Sequence, residues 1–226
     1  MTAPQRSRGL GQRLEQDPAL ATGALALATV AAIVLYLYAG RGTSFFFDDW
    51  DFVLGRRGTG LDVWFEAHNG HLSLIPVVLY KLYLKLFGLD AYLPWRLTVL
   101  AVHLGSVWLL FIYARRRVAA PVALAAALAL LFFGSGWENI LWPFQIGYSG
   151  SIAAGLGMLL ALDRRDRRGD LIAALLLLTS LACSGIGVAF LVSTLVLLLY
   201  RSPLSRTSRA VPSSLRNTVA ISKWWP

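Results

Sequence analysis

Residues 19 to 40, ALATGALALATVAAIVLYLYAG, contain no charged side chain. A helix rises 1.5 Å per residue, so about 20 such residues cross the hydrocarbon core of a bilayer. The run is longer than the apolar stretch of a signal peptide, and no clear small-residue cleavage site follows it; it reads as a retained span. Composition points the same way: 57% of the 226 residues are hydrophobic, 15% are charged, and mean hydropathy is +0.60. These values lie far outside those of an ordinary soluble domain and indicate an integral membrane protein. Cys183 is the only cysteine, which excludes an intramolecular disulfide and argues against a cysteine-ligated metal.

Further apolar runs at 97–114, 118–133 and 147–162 predict three more spans. The stretch 171–200 is too long for one upright helix, and the interruption CSGIG at 183–187 divides it into two short crossings, 171–183 and 188–200. The fold class predicted is therefore all-α integral membrane, with six crossings in a transmembrane domain over 19–200. Residues 1–18 form an inner N-terminus and 201–226 an inner tail. Charge supports this count, because it sets fifteen of the twenty-one basic residues inside and seven of the twelve acids outside. The formal net charge of +9 is thus accounted for by orientation in a membrane; the basic residues form no continuous face for nucleic acid.

The outer loop 41–96 is too long to be a mere connector. Within it LSLIPVVLYKLYLKLF, 72–87, is about 24 Å long as a helix and carries Lys81 and Lys85 one turn apart. It reads as an interfacial helix, with Pro76 near its start.

The loop opens on FFFDDWDF, which sets Asp48, Asp49 and Asp51 around Trp50. A carboxylate at a dry boundary can be tuned to accept a proton, and a second one beside it can fix an acceptor or a divalent cation. Trp50 offers a stacking face; the plain alternative is a solvated turn with Trp50 in the aromatic belt. In WFEAHNGHLSLIP, His68 and His71 are three apart, suited to one helical face that binds metal or phosphate, whereas Asn69-Gly70 argues for a turn. The loop GSGWENILWPFQIGYS adds Glu138 and Gln145, read either as a second wall of one site or as headgroup-level residues. Arg96 suits either a bidentate phosphate clamp or snorkelling, and His103 suits a helix–helix hydrogen bond.

A charged N-terminus, one span, a long outer loop that begins with an acidic pair, an interfacial helix and closely spaced later spans resemble the type C (GT-C fold) glycosyltransferases. FFFDDWDF, HNGHLSLIPVVLYKL and WENILWPFQIGYS resemble bacterial, often actinobacterial, members related to the lipopolysaccharide-core glycosyltransferases and protein mannosyltransferases. The resemblance covers about residues 15–200. It implies transfer of a sugar from a polyprenyl-phosphate donor to a glycan, lipid or protein acceptor on the outer face of a bacterial plasma membrane, with both termini cytoplasmic. Asp48 is then the catalytic base and Asp49 its partner, the pair also able to hold a divalent cation. Trp50, His68, His71, Arg96, Glu138 and Gln145 are candidate substrate contacts on residue chemistry alone. Family members are generally longer, and the tail from Arg201 turns Ser/Arg-rich without apolar periodicity. This predicts an N-terminal fragment, truncated or frameshifted near 199–203, that can lack activity alone. The alternative expectation is a non-enzymatic membrane scaffold or permease-like subunit.

Overall fold

The computed structural model describes residues 17–201, and among them every regular element is a helix. The N-terminus before Asp17 and the tail after Arg201 lie outside the described residues. In chain order the elements are α1 (Pro18–Ala39), a π-helical turn (Asp51–Gly55), α2 (Leu61–Phe65), α3 (Leu74–Phe87), α4 (Leu93–Arg115), α5 (Ala120–Leu131), α6 (Trp137–Leu141), α7 (Ile146–Leu162), α8 (Arg167–Cys183) and α9 (Gly187–Arg201). Single 3-10 turns flank α6.

Among the described residues four stretches are long and apolar enough to cross a membrane: Ala19–Ala39, Leu93–Arg115, Ala120–Leu141 and Pro143–Leu162. The third is interrupted, because α5 proper ends at Leu131 and the chain continues through shorter helical pieces. Helices α8 and α9, of 17 and 15 residues, are the two halves of the broken 171–200 stretch, and the break falls at Ser184-Gly185-Ile186 as the CSGIG motif predicts. A helix is present where one is expected at 72–87: it is α3, which begins two residues later.

Each span starts and stops for local reasons. The Asp17 carboxylate accepts from the Ala19 amide and caps α1. Asp166 does the same for α8, accepting from Gly169 N at 2.6 Å. At the far end of α1 the Gly40 amide donates to Tyr36 O, and Gly42 turns the chain with φ 81°.

The core divides into three parts. One joins α1 to α4 and α5 through Leu25, Ala32, Val107, Ala123 and Leu131. There the Leu131 carbonyl accepts from the Tyr36 hydroxyl and, at 3.3 Å, from His103 Nε2. His103 is thus a helix–helix contact, and it satisfies a carbonyl that the end of α5 leaves free. A second part lies where α7, α8 and α9 meet around Met158, Ala161 and Ala173. Small residues bring α7 against α8: a Cβ at Gly147 would lie 2.9 Å from Cys183 O, and one at Gly150 3.2 Å from Cys183 Sγ. Within this contact Ser151 Oγ donates to Ser180 O at 2.9 Å while Ser180 Oγ donates to Ser151 O at 2.8 Å. Both serines are fully buried. The third part is a largely aromatic cluster of the 41–96 loop, built from Phe45, Phe52, Val77, Tyr80 and Trp95. Large apolar side chains left on the outside, such as Leu27, Val30 and Val34 of α1 and Leu175 and Leu178 of α8, suit contact with lipid.

The two ends of the bundle differ in charge. Arg116 and Arg117 reach Asp163 at 3.2 and 2.8 Å, so the basic segments after α4 and after α7 share one end. The acidic loop that follows α1 occupies the other.

Candidate functional site

The segment FFFDDWDF folds as a tight turn followed by one π-helical turn. Phe47 adopts φ 50°, and the amides of Asp49, Trp50 and Asp51 donate to the carbonyls of Phe46, Phe47 and Asp48. In return the Phe46 amide donates to Asp49 Oδ2 at 3.1 Å, a side-chain-to-backbone closure that favours Asp at such positions. The three phenylalanines separate: Phe45 packs edge-on against Tyr92 and Trp95, Phe46 stacks on Trp142, and Phe47 is largely exposed.

The acidic pair separates too. Asp49 has no exposed surface. Its Oδ1 accepts from the Tyr80 hydroxyl of α3, and its Oδ2 accepts from Trp142 Nε1 at 3.0 Å as well as from Phe46 N. Burial pushes the Asp49 carboxyl above its ordinary range; the three donors pull it back, and the neighbouring Asp48 charge pushes the same way as burial. Burial, and then the charge of Asp49, keep the Tyr80 hydroxyl protonated far above its usual value. It therefore remains a donor. A carboxylate with its lone pairs occupied by three protein donors joins the acidic turn, α3 and the α6–α7 connection into one unit.

Asp48 points the other way and is partly exposed. Its Oδ2 lies 3.7 Å from His68 Nε2, and Asp48, Asp51 and His68 each offer a ligand atom within 4.8 Å of the others. His68 reaches this place through Asn69-Gly70, which closes a two-residue hairpin with φ values of 50° and 78°. Positive φ at both central residues is the requirement of a type I′ turn. His68 and His71 exchange both backbone hydrogen bonds at 2.9 Å. The turn reading is the one realised, and the helical-face reading of this pair is corrected by the hairpin. The His68 ring packs 5.0 Å from Phe52 and 5.2 Å from Phe144, and its buried Nε2 has no hydrogen-bond partner. His71 instead turns toward the α8–α9 break, where a Cβ at Gly185 would come within 2.5 Å of its Nδ1. Both histidines line a cavity of about 30 Å³ together with Ser184 and Tyr148, room for a water molecule or so.

The other candidate residues lie elsewhere. Trp50 is half-exposed and packs on Phe45, 6.1 Å between centroids. Arg96 donates to the Gly40 carbonyl and neutralises the C-terminal end of α1. Its guanidinium is engaged in the fold rather than held at the Asp48 cluster. Glu138 is exposed in the first turn of α6. Gln145 lines a separate, larger cavity between the spans. Two further loop cations are structural as well: Arg56 is buried and pairs with Glu66 at 3.2 Å, and Lys81 donates to the carbonyls of Arg56 and Gly58 while lying 4.9 Å from the Trp64 ring.

The structure therefore brings Asp48 and His68 together, adds Asp51, and withdraws Asp49 beneath them. Asp51 was visible as the third acid of the motif, and its approach to Asp48 follows from the helical turn that begins there. No sequence signal marks Tyr80 or Trp142 as partners of Asp49, because they stand 31 and 93 residues away in segments that read as interfacial. Among the described residues those able to hold a divalent cation are Asp48, Asp51 and His68, a mixed oxygen and nitrogen set of the kind that manganese, iron or zinc accepts; the expected Asp48–Asp49 pair is corrected, because both oxygens of buried Asp49 are taken by protein donors. Compared with known protein families, curated proteins and solved structures, the chain matches none.

Proposed function

We propose that this chain carries the catalytic loop of a multi-pass membrane glycosyltransferase that moves a sugar from a polyprenyl-phosphate donor to an acceptor hydroxyl or amide. The observation that carries the reading is the division of labour in the acidic pair: Asp49 is locked by three donors from three segments, and Asp48 is held partly exposed beside His68 and Asp51. Such a foundation keeps a reactive group within the narrow tolerance that proton transfer requires.

Asp48 takes the proton of the acceptor as its oxygen or nitrogen attacks C1 of the sugar. The C1–oxygen bond to phosphate breaks, and the polyprenyl phosphate leaves with the bonding pair. His68 stands beside the carboxylate, 3.7 Å from its Oδ2, near enough to close on it when an acceptor binds. A divalent cation bound by Asp48, Asp51 and His68 would supply positive charge for the leaving phosphate. Helices α8 and α9 complete six crossings, the basic end faces the cytoplasm of a bacterium, and the acidic loop faces outward, in keeping with the Arg116, Arg117 and Asp163 cluster at the opposite end.

The test is transfer of labelled sugar from a polyprenyl-phosphate donor by the protein in its own membrane. Asp48→Asn is expected to lower the rate about 10²- to 10⁴-fold, the usual contribution of a general base. A wild-type rate in that variant refutes the assignment. One observation favours the scaffold alternative: Arg96 is engaged by Gly40 and Glu138 is exposed, so neither supplies a second wall to the Asp48 cluster. On that reading Asp48→Asn leaves transfer untouched and loosens the hold of the outer loop on a partner subunit.

A further inference from the structure

An apolar groove opens at the basic end of the bundle, away from the Asp48 cluster. Met158 and Leu162 of α7, Ala173 and Leu177 of α8, and Thr194 and Leu198 of α9 line about 220 Å³ there. Its floor is recessed: Met158 is fully buried and Leu162 and Ala173 nearly so, whereas Ala174 and Leu198 at the rim are exposed. Ala173 and Ala174 put only methyl groups on the α8 side. The Thr194 hydroxyl donates to Phe190 O at 2.8 Å, which leaves the wall apolar. Left empty inside a bilayer, the floor would lack contact atoms, and a methylene chain supplies them. The wall does not choose between lipids, since the bilayer core is equally apolar. Selection falls to the charges at the mouth.

Asp170 is the charged residue of the lining and is exposed in the first turn of α8. Arg167, Asp170, Ala174 and Leu177 follow one another at intervals of three, four and three residues, a single stripe of the helix. Arg167 therefore stands one turn beyond Asp170, at the end of the groove. The neighbouring acids are engaged: Asp163 by Arg116 and Arg117, and Asp166 by Arg164 and the Gly169 amide. Among the described residues, the side chains of Arg165, Arg167, Arg168 and Asp170 take no hydrogen bond or ion pair. The mouth thus presents a free carboxylate beside free guanidiniums. A purely anionic headgroup is repelled by Asp170, and a zwitterion satisfies both signs. Its cationic part must carry N–H to donate to the carboxylate, which a quaternary ammonium lacks.

We infer that this groove holds an acyl chain of one phospholipid with a primary-amine zwitterionic headgroup, phosphatidylethanolamine in class. Its ammonium donates to Asp170 and its phosphate accepts from Arg167. The inference rests on this end of the bundle alone and stands whether or not Asp48 is a base.

The full chain is reconstituted in nanodiscs of phosphatidylcholine that contain a minor fraction of phosphatidylethanolamine or phosphatidylglycerol with matched acyl chains. Lipid that stays on the protein after release is counted by native mass spectrometry. One phosphatidylethanolamine is expected to be retained, about tenfold in preference to either other lipid. Asp170→Asn is expected to remove most of that preference, and Arg167→Gln to weaken retention about tenfold. Ala174→Trp, which fills the groove from an exposed position, is expected to abolish it. Arg165→Gln, which removes an equally free guanidinium outside the α8 stripe, is expected to change nothing. Retention of phosphatidylglycerol equal to or above phosphatidylethanolamine would mark a basic surface only and overturns the inference. An unaltered preference in Asp170→Asn, equal losses in Arg165→Gln and Arg167→Gln, or full retention in Ala174→Trp also overturns it. Unfolding transitions of the variants in the same nanodiscs separate loss of the site from loss of the fold.

Discussion

Asp48 and Asp49 are adjacent in sequence, yet the structure gives them opposite energetic weights. Replacing Asp49 with alanine strands the Tyr80 hydroxyl and Trp142 Nε1, both buried donors, together with the Phe46 amide, which lies nearer the surface. Each buried donor left without a partner costs about 1–3 kcal/mol. Two of them cost about 2–6 kcal/mol, and removal of a desolvated carboxylate returns part of this, leaving a net loss of about 2–4 kcal/mol. Asp48→Ala removes only a 3.7 Å contact to His68 at a partly exposed position, worth about 0–1 kcal/mol. Titration with sodium dodecyl sulfate in mixed micelles, followed by tryptophan fluorescence, measures both. The result that refutes the reasoning is an Asp48→Ala variant as destabilised as Asp49→Ala. The pH dependence carries a second check. Burial raises the Asp49 pKa above its ordinary 3.8. The stability this group contributes is therefore fully present below the unfolded value and lost as pH rises through the folded one. Relative to Asp49→Asn, which does not titrate, the wild type is expected to lose stability as pH is raised upward from about 3.8.

The reciprocal Ser151 and Ser180 hydrogen bonds are expected to show a coupling of about 0.6–1.7 kcal/mol in a double-mutant cycle of alanines, measured by the same unfolding titration. Independent, additive losses would show that the clasp is geometric only. Gly147→Ala drives a methyl group toward the Cys183 carbonyl and is expected to cost about 1–3 kcal/mol, whereas Gly105→Ala, whose Cβ meets nothing within 4 Å, is expected to be neutral or mildly stabilising.

Much of the fold was legible because its signals are local. The uncharged run at 19–40 encodes α1, Asn69-Gly70 encodes its turn, and the small residues of CSGIG encode the α8–α9 break. Span ends were less legible: the apolar run at 118–133 does not reveal that α5 stops at Leu131, since that depends on Tyr36 and His103 being present to satisfy its carbonyl. Arg96 shows the same limit. A cation near the start of a span looks available for a phosphate, and only the approach of α1 shows that it serves the Gly40 carbonyl. For the candidate site, the residue types were visible and their division was not. Which acid of Asp48-Asp49 is buried depends on Tyr80 and Trp142, and no short-range pattern reports contacts at such separations.

The bond from Trp142 to Asp49 also orders events during synthesis. At roughly 5–20 residues per second, the 93 residues between them take about 5–20 s to appear. For that interval the first helix and its acidic loop exist without the indole that completes the socket. The acidic turn lacks this donor until the α6–α7 connection is delivered, and the mature geometry around Asp48 is a late product of assembly rather than a property of the segment that contains it.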